Sequence, residues 1–257
     1  MKLYSYLAIA GLTVGTPLGA QPLTGTAKWA DSANREIEAA NGAGNLVRLS
    51  NMSTVLDRAL IVTPNDPLLL YYRSLALWRM ASIDIATKKK GQAKKLLDEA
   101  DRLLEQATAK SPTAEALALR SGVLGQTIGL SRNPLSSMTV GPRARGLLDR
   151  AKEMEPRNPR VWLISGMSAM FTPKMFGGGA DKAERDLRKA VELFASDNPT
   201  PPAPSWGRAD AYIWLGQTLQ KEDKQEEARA AYRKALELQP GNQWVTRVLL
   251  PSLDGKE

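Results

Sequence analysis

The chain repeats one helix ending five times, and this limits the folds open to it more than any other feature. In four copies an alanine stands five residues before a proline: Ala59 and Pro64, Ala107 and Pro112, Ala151 and Pro156, Ala235 and Pro240. A fifth copy keeps Ala190 but has Ala195 in the proline's place. A large apolar residue precedes each alanine by three positions: Leu56, Leu104, Leu148, Leu187 and Tyr232. Four residues earlier comes Met52 in the first copy, and Ala100, Ala144, Ala183 and Ala228 in the others. Residues three and four apart share one helix face. The proline stops the helix, because it has no N–H and its ring clashes with the preceding turn. One helical unit recurring along a chain predicts a solenoid, in which each unit buries its apolar face against the next.

The last copy is the clearest. Tyr212, Leu215, Gly216 and Leu219 fall on one face of a first helix, and Ala228, Tyr232 and Ala235 on one face of a second. The polar run 221–225 is the turn between them, and Pro240 is the stop. An aromatic, Leu-Gly, a small residue, an aromatic, an alanine and a proline at these offsets resemble the tetratricopeptide repeat (TPR). Upstream, Ala144, Leu148, Ala151 and Pro156 match the motif's second half, with Gly122 taken as the first-helix glycine. Trp162, Gly166, Ala183, Leu187 and Ala190 match in the fourth copy. The resemblance spans residues 30–242 and weakens toward the N-terminus. It implies an all-α, right-handed superhelix of about five helix pairs, over residues 29–64, 67–112, 113–156, 159–197 and 207–240. A cap at 243–249 is expected to cover the last pair with Trp244, Val245 and Val248.

The copies are not evenly spaced. The anchoring alanines lie 48, 44, 39 and 45 residues apart, against roughly 34 in a standard unit. The surplus is expected as inserts at 128–142 and 171–181, and as longer helices in the second unit. The Gly177–Gly179 run precedes a helix but lacks the Gly-Lys-Ser/Thr ending of a phosphate loop. It reads as structural, with Asp181 and Glu184 forming a capping box. The Pro-rich stretch 197–206 reads as a stiff connector with Trp206 packed at its end.

Composition removes several chemistries. The chain has no cysteine and no histidine. Disulfides, thiol catalysis, most zinc sites and the usual Ser-His and Cys-His pairs are therefore excluded. No cofactor or metal is implied. Residues 1–20 have a basic start, a short apolar run and a small-residue end, the pattern of an export signal cleaved after Ala20. The mature domain is then 21–257, periplasmic or secreted, and no later segment is apolar enough to form a stable membrane span. The net charge of +8 is densest at Lys88, Lys89, Lys90, Lys94 and Lys95. Without aromatic interleaving that patch reads as a solvated helix face and not a nucleic-acid site.

The concave face of such a superhelix is formed by first-helix positions. Counted from Gly216, Gly166, Gly122 and Ala76, the groove residues expected to meet a partner are Arg73, Leu77, Met80, Leu119, Val123, Leu163, Met167, Met170, Ile213 and Gln217. The lysines and asparagines with which adaptor members of the family clamp a carboxylate are missing here. Most of these positions are apolar, and an open apolar groove is unfavourable in water. Either the inserts fill it with Leu130, Leu135, Met138, Met175 and Phe176, which is the favoured reading, or a hydrophobic ligand or partner helix does. The function expected is a non-enzymatic, exported scaffold or adaptor for a protein partner in the cell envelope. The alternative is a periplasmic binding module for a small hydrophobic ligand, associated with a transport system.

Overall fold

The computed structural model describes residues 24–131 and 134–255. The export signal expected at 1–20 lies outside them. Among the described residues there is no strand, and ten helices form five pairs. The pairs are α1 Gly25–Gly42 with α2 Leu46–Val62, α3 Pro67–Ala86 with α4 Lys90–Lys110, α5 Ala114–Leu130 with α6 Pro134–Met154, α7 Pro159–Phe171 with α8 Ala180–Phe194, and α9 Arg208–Lys221 with α10 Gln225–Leu238. The odd-numbered helices pack on one another as an inner layer, and each even-numbered helix lies outside its pair.

The repeat residues make this packing. Ala59, Ala107, Ala151, Ala190 and Ala235 are all buried, as are Leu56, Leu104, Leu148, Leu187 and Tyr232. Helix starts are fixed locally. Asp66, Thr113 and Asn158 accept hydrogen bonds from the first free backbone N–H groups of α3, α5 and α7. Pro67 and Pro159 occupy the first helical position, where a missing N–H costs nothing. The superhelix curls far enough for its ends to meet: Gln239 Nε2, just past α10, donates to the Glu38 carbonyl of α1 at 3.0 Å.

The cap is a π-turn, Val245–Leu249, followed by α11, Pro251–Asp254. Val245, Leu249 and Leu253 are the buried residues, whereas Trp244 and Val248 stay exposed. Of the three residues expected to cover the last pair, Val245 is buried and Trp244 meets Trp214 of α9 edge-on, whereas Val248 faces outward.

The inserts differ from expectation. Residues 128–142 are mostly helix, because α5 runs on to Leu130 and α6 begins at Pro134 and continues through Pro142. A proline in the first turn starts a helix as readily as it ends one. Met138 is exposed, Leu130 packs against the core from its edge, and the Leu135 side chain lies outside the described residues. In the other insert Met175 and Phe176 are also exposed. That loop leans on the outer layer, where Arg145 of α6 donates to the Phe176 carbonyl at 2.6 Å. Met138, Met175 and Phe176 therefore do not fill the groove. The capping box is absent as well: Gly179 stands at the cap of α8 and no side chain caps it, Asp181 pairs with Lys174, and Glu184 pairs with Arg188 and Lys224.

Candidate functional site

The inner face depends on where each first helix begins. Gly166 and Gly216 do face their partner helices: a Cβ would fall 2.4 Å from Leu187 Cγ at the first and 2.5 Å from Tyr232 Cε1 at the second. Gly122 does not. A Cβ there would meet Ile164 and Trp78 of the inner helices α7 and α3. Gly166 comes eight residues after its cap, Asn158. The same count from Asp66 and Thr113 gives Ser74 and Ser121, both buried. The anchors Ala76 and Gly122 are thus two residues and one residue late. The corrected inner positions are Leu68, Tyr71, Leu75 and Trp78 on α3, and Glu115, Ala118, Gly122 and Gly125 on α5.

Two of these positions, Tyr71 and Trp78, meet the chain's own connector, residues 195–207. Trp206 is fully buried between inner helices. Its Nε1 donates to the Tyr71 hydroxyl at 2.6 Å, and its ring meets Trp78 edge-on at 6.0 Å. The Tyr72 hydroxyl donates to the Pro202 carbonyl at 2.7 Å. Asn34 of α1 donates to Ser205 Oγ at 2.8 Å and accepts from the Ser205 backbone N–H at 3.3 Å. The groove is therefore filled from within, by the proline-rich connector.

Two buried arginines hold the connector at its ends. Arg160 of α7 donates through Nε to Glu115 at 2.6 Å and grips both oxygens of Asp197, at 2.7 and 3.0 Å. Arg79 of α3 reaches Asp210 of α9 at 2.5 Å and Glu38 of α1 at 3.0 Å. Its guanidinium also lies 5.1 Å from the centre of the Trp78 ring and 5.2 Å from that of Trp206. Burial pushes the Glu115 and Glu38 carboxyls up, against the opposing pull of their arginines. Burial opposes the charge on Arg79 and Arg160, but their carboxylate partners outweigh it and keep both pKa values above the ordinary one. Burial likewise raises the Tyr71 phenol well above its usual range, with Glu115 adding to the effect. The constellation sets two arginines against four carboxylates, and leaves Arg79 Nε and the Trp78 indole N–H buried without a hydrogen-bond partner. It fixes a chain segment and presents no activated nucleophile.

The ten residues expected to line an open groove lie elsewhere or inside. Arg73 pairs with Asp57 of α2 and Glu99 of α4, in the outer layer. Leu77, Leu119, Val123, Leu163 and Ile213 are buried in the core. Met80 and Met167 pack partly buried against it. Met170 Sδ accepts from the Thr218 hydroxyl at 3.7 Å, and Gln217 is partly buried. Of the residues that close the face, Tyr71, Arg79, Glu115, Arg160 and Trp206, sequence reasoning finds Trp206, and the count back from Gly166 also puts Arg160 on the inner face. The cap-to-small-residue count would have found Tyr71 and Glu115.

Two of the open surfaces among the described residues stand out. A cleft of about 830 Å³ lies where the N-terminal ends of α3, α5 and α7 meet the connector. Leu68, Tyr71, Glu115, Arg160, Asp197 and Pro204 are among its walls. The second surface is a row of rings. Phe171 meets Trp214, and Trp214 meets Trp244, each edge-on with centroids 6.0 Å apart. Among the described residues no group of three or more carboxylates could hold a metal ion, and no helix is long and apolar enough to cross a membrane.

Residues 209–242, α9 and α10, match the tetratricopeptide repeat family. The chain carries a tetratricopeptide repeat there, within a solenoid of the TPR fold. Its solenoid is similar to TTC0263, a thermophilic TPR protein of Thermus thermophilus, with 20% identity over 89% of this chain and 98% of that one, and a TM-score of 0.61. It is also similar to the HusA haemophore of Porphyromonas gingivalis, with 25% identity over 75% of this chain and 94% of that one, and the same TM-score of 0.61. No curated protein matches the chain in sequence. TPR proteins are in general non-catalytic, and the architecture is that of an interaction or binding scaffold.

Proposed function

We propose that this TPR protein is an exported, non-enzymatic scaffold or adaptor of the cell envelope, which holds a protein partner on its open surfaces. The observation that carries this reading is the buried Trp206. With the connector seated in the concave groove, a partner meets the rim, the outer layer and the cap. Photo-crosslinking groups placed at exposed and at buried positions test it in the native envelope. The same protein should be captured from exposed positions such as Phe171, and nothing from Leu163 or Ile213. Capture from the buried pair alone would mean that the connector leaves the groove and the partner enters it. Export predicts a mature N-terminus at Gln21, and an intact Met1 in the envelope fraction would refute cleavage.

A second reading is a carrier of a small hydrophobic ligand. Two observations favour it: the similarity to a haemophore, and a cleft of about 830 Å³, which is in the range of small-molecule sites. With no histidine or cysteine in the chain, such a ligand would be held by apolar and ring contacts. Native mass spectrometry of the protein from its own source, with thermal-shift titration of haemin, decides this. A clean apo mass and an unchanged transition temperature would end it.

A further inference from the structure

The ring row crosses three elements: Phe171 at the end of α7, Trp214 in α9, and Trp244 at the start of the cap. Phe171 is 68% exposed, Trp244 40%, and Val248, one turn beyond Trp244, 52%. The last helix pair is sealed by Val245, Leu249 and Leu253, so capping does not require this exposure. Single exposed apolar residues are ordinary, but a contiguous aromatic row marks a contact surface. Positive charge flanks it. Lys221 Nζ sits 5.1 Å from the centre of the Phe171 ring, and Arg247 belongs to the same turn as Trp244 and Val248. Among the described residues neither cation has a carboxylate within ion-pair distance, although Arg73, Arg79, Arg120 and Arg160 each have two.

We propose that this row is the docking site for a protein partner that presents an acidic helix with an apolar face. The proposal rests on the scaffold reading above and names its surface. The row lies outside the cleft of about 830 Å³, so a small molecule would lack the enclosure such ligands need. Exposed tryptophan and phenylalanine with basic residues at the margin is the composition of interface anchor points. The ring-to-ring step of 6.0 Å matches the rise of four helical residues, about 6 Å. Apolar residues at i and i+4 of a partner helix would then meet the two gaps between the three rings. Lys221 and Arg247 select carboxylates along the margins of that helix.

The test uses three synthetic helical peptides and the purified full-length protein with isotope-labelled tryptophan. Two share a leucine and phenylalanine face, one flanked by glutamates and one by lysines. The third keeps the glutamates but has serines in place of the apolar face. The glutamate peptide should bind, shift the Trp214 and Trp244 indole signals, and bind at least about tenfold tighter than the other two. Phe171→Ala with Trp244→Ala should weaken it by about tenfold, and Lys221→Glu with Arg247→Glu should reverse the charge preference. Both pairs are exposed or cap-edge side chains, and circular dichroism checks that each variant folds. Equal binding of the glutamate and lysine peptides would overturn the proposal. So would binding insensitive to the ring substitutions, or binding to anionic vesicles with none to the peptides. If the ring variant still gives the native envelope crosslinks, the scaffold reading stands and this docking site falls.

Discussion

Trp206 and Tyr71 lie 135 residues apart in sequence, and the indole N–H of the first donates a 2.6 Å hydrogen bond to the hydroxyl of the second. Tyr71 passes the bond on to Glu115 at 3.2 Å. The connector is thereby tied to the second and third units. Truncating a buried tryptophan removes its burial and leaves a cavity. Trp206→Ala should therefore cost about 3–5 kcal/mol in urea unfolding. Tyr71→Phe should cost about 1–3 kcal/mol, because the buried indole N–H loses its acceptor.

Arg79 is the second tie, and its removal should show in the pH dependence. Arg79→Met strands Asp210 and Glu38 in a buried site, which costs about 3–5 kcal/mol near neutral pH. Glu38, which burial already pushes up, then loses the opposing pull of the arginine and takes up a proton more readily in the folded state than in the unfolded one. Stability of the variant should rise relative to wild type as pH falls from about 7 to about 5. Urea midpoints measured across that range check the sign.

Glu184 sets the opposite dependence. A hydrogen bond from Lys224 at 2.7 Å, helped by Arg188, holds its carboxyl down at about 2 against an ordinary 4.5. A depressed carboxyl contributes stability that is present above pH 4.5 and lost as pH falls toward about 2. Glu184→Gln removes that contribution, so the acid limb of the stability profile should be shallower in the variant over this window. An unchanged limb would mean that the pair between α8 and α10 is not formed in solution.

The glycines test the register of the repeat. Gly166→Ala and Gly216→Ala place a Cβ at 2.4 and 2.5 Å from a neighbouring side chain, and each should destabilise by about 1–3 kcal/mol. Gly125 has nothing within 4 Å of such a Cβ. Gly125→Ala should be neutral or stabilise by about 0.5–1 kcal/mol, from the lower entropy of the unfolded helix position. Thermal unfolding ranks the three.

Much of the architecture could be read in advance because it is local. The alanine-to-proline spacing marks where each second helix ends, and every anchoring alanine is buried. What escaped has physical causes. Two glycines near the middle of α5 make Gly122 look like the packing glycine, while the cap Thr113 places Ser121 there. Pro134 and Pro142 suggest a loop, yet one starts a helix and the other lies inside it. The closure by residues 195–207 brings Asn34, Tyr71, Arg160 and Trp206 together across as many as 171 positions. No periodicity in one segment encodes such a meeting, and the proline run shows only that the segment is stiff.

The central claim is that the solenoid fills its own groove, and one crosslink tests it directly. Asn34 and Ser205 touch at 2.8 Å, and the chain has no cysteine of its own. In Asn34→Cys with Ser205→Cys, the two thiols are the only ones present. A short thiol-to-thiol crosslinker should join them rapidly in the folded monomer, and denaturation before treatment should abolish the link. If both thiols of the folded protein instead react separately with a monofunctional reagent at the rate of exposed cysteines, and no internal link forms, the groove is open and the account fails.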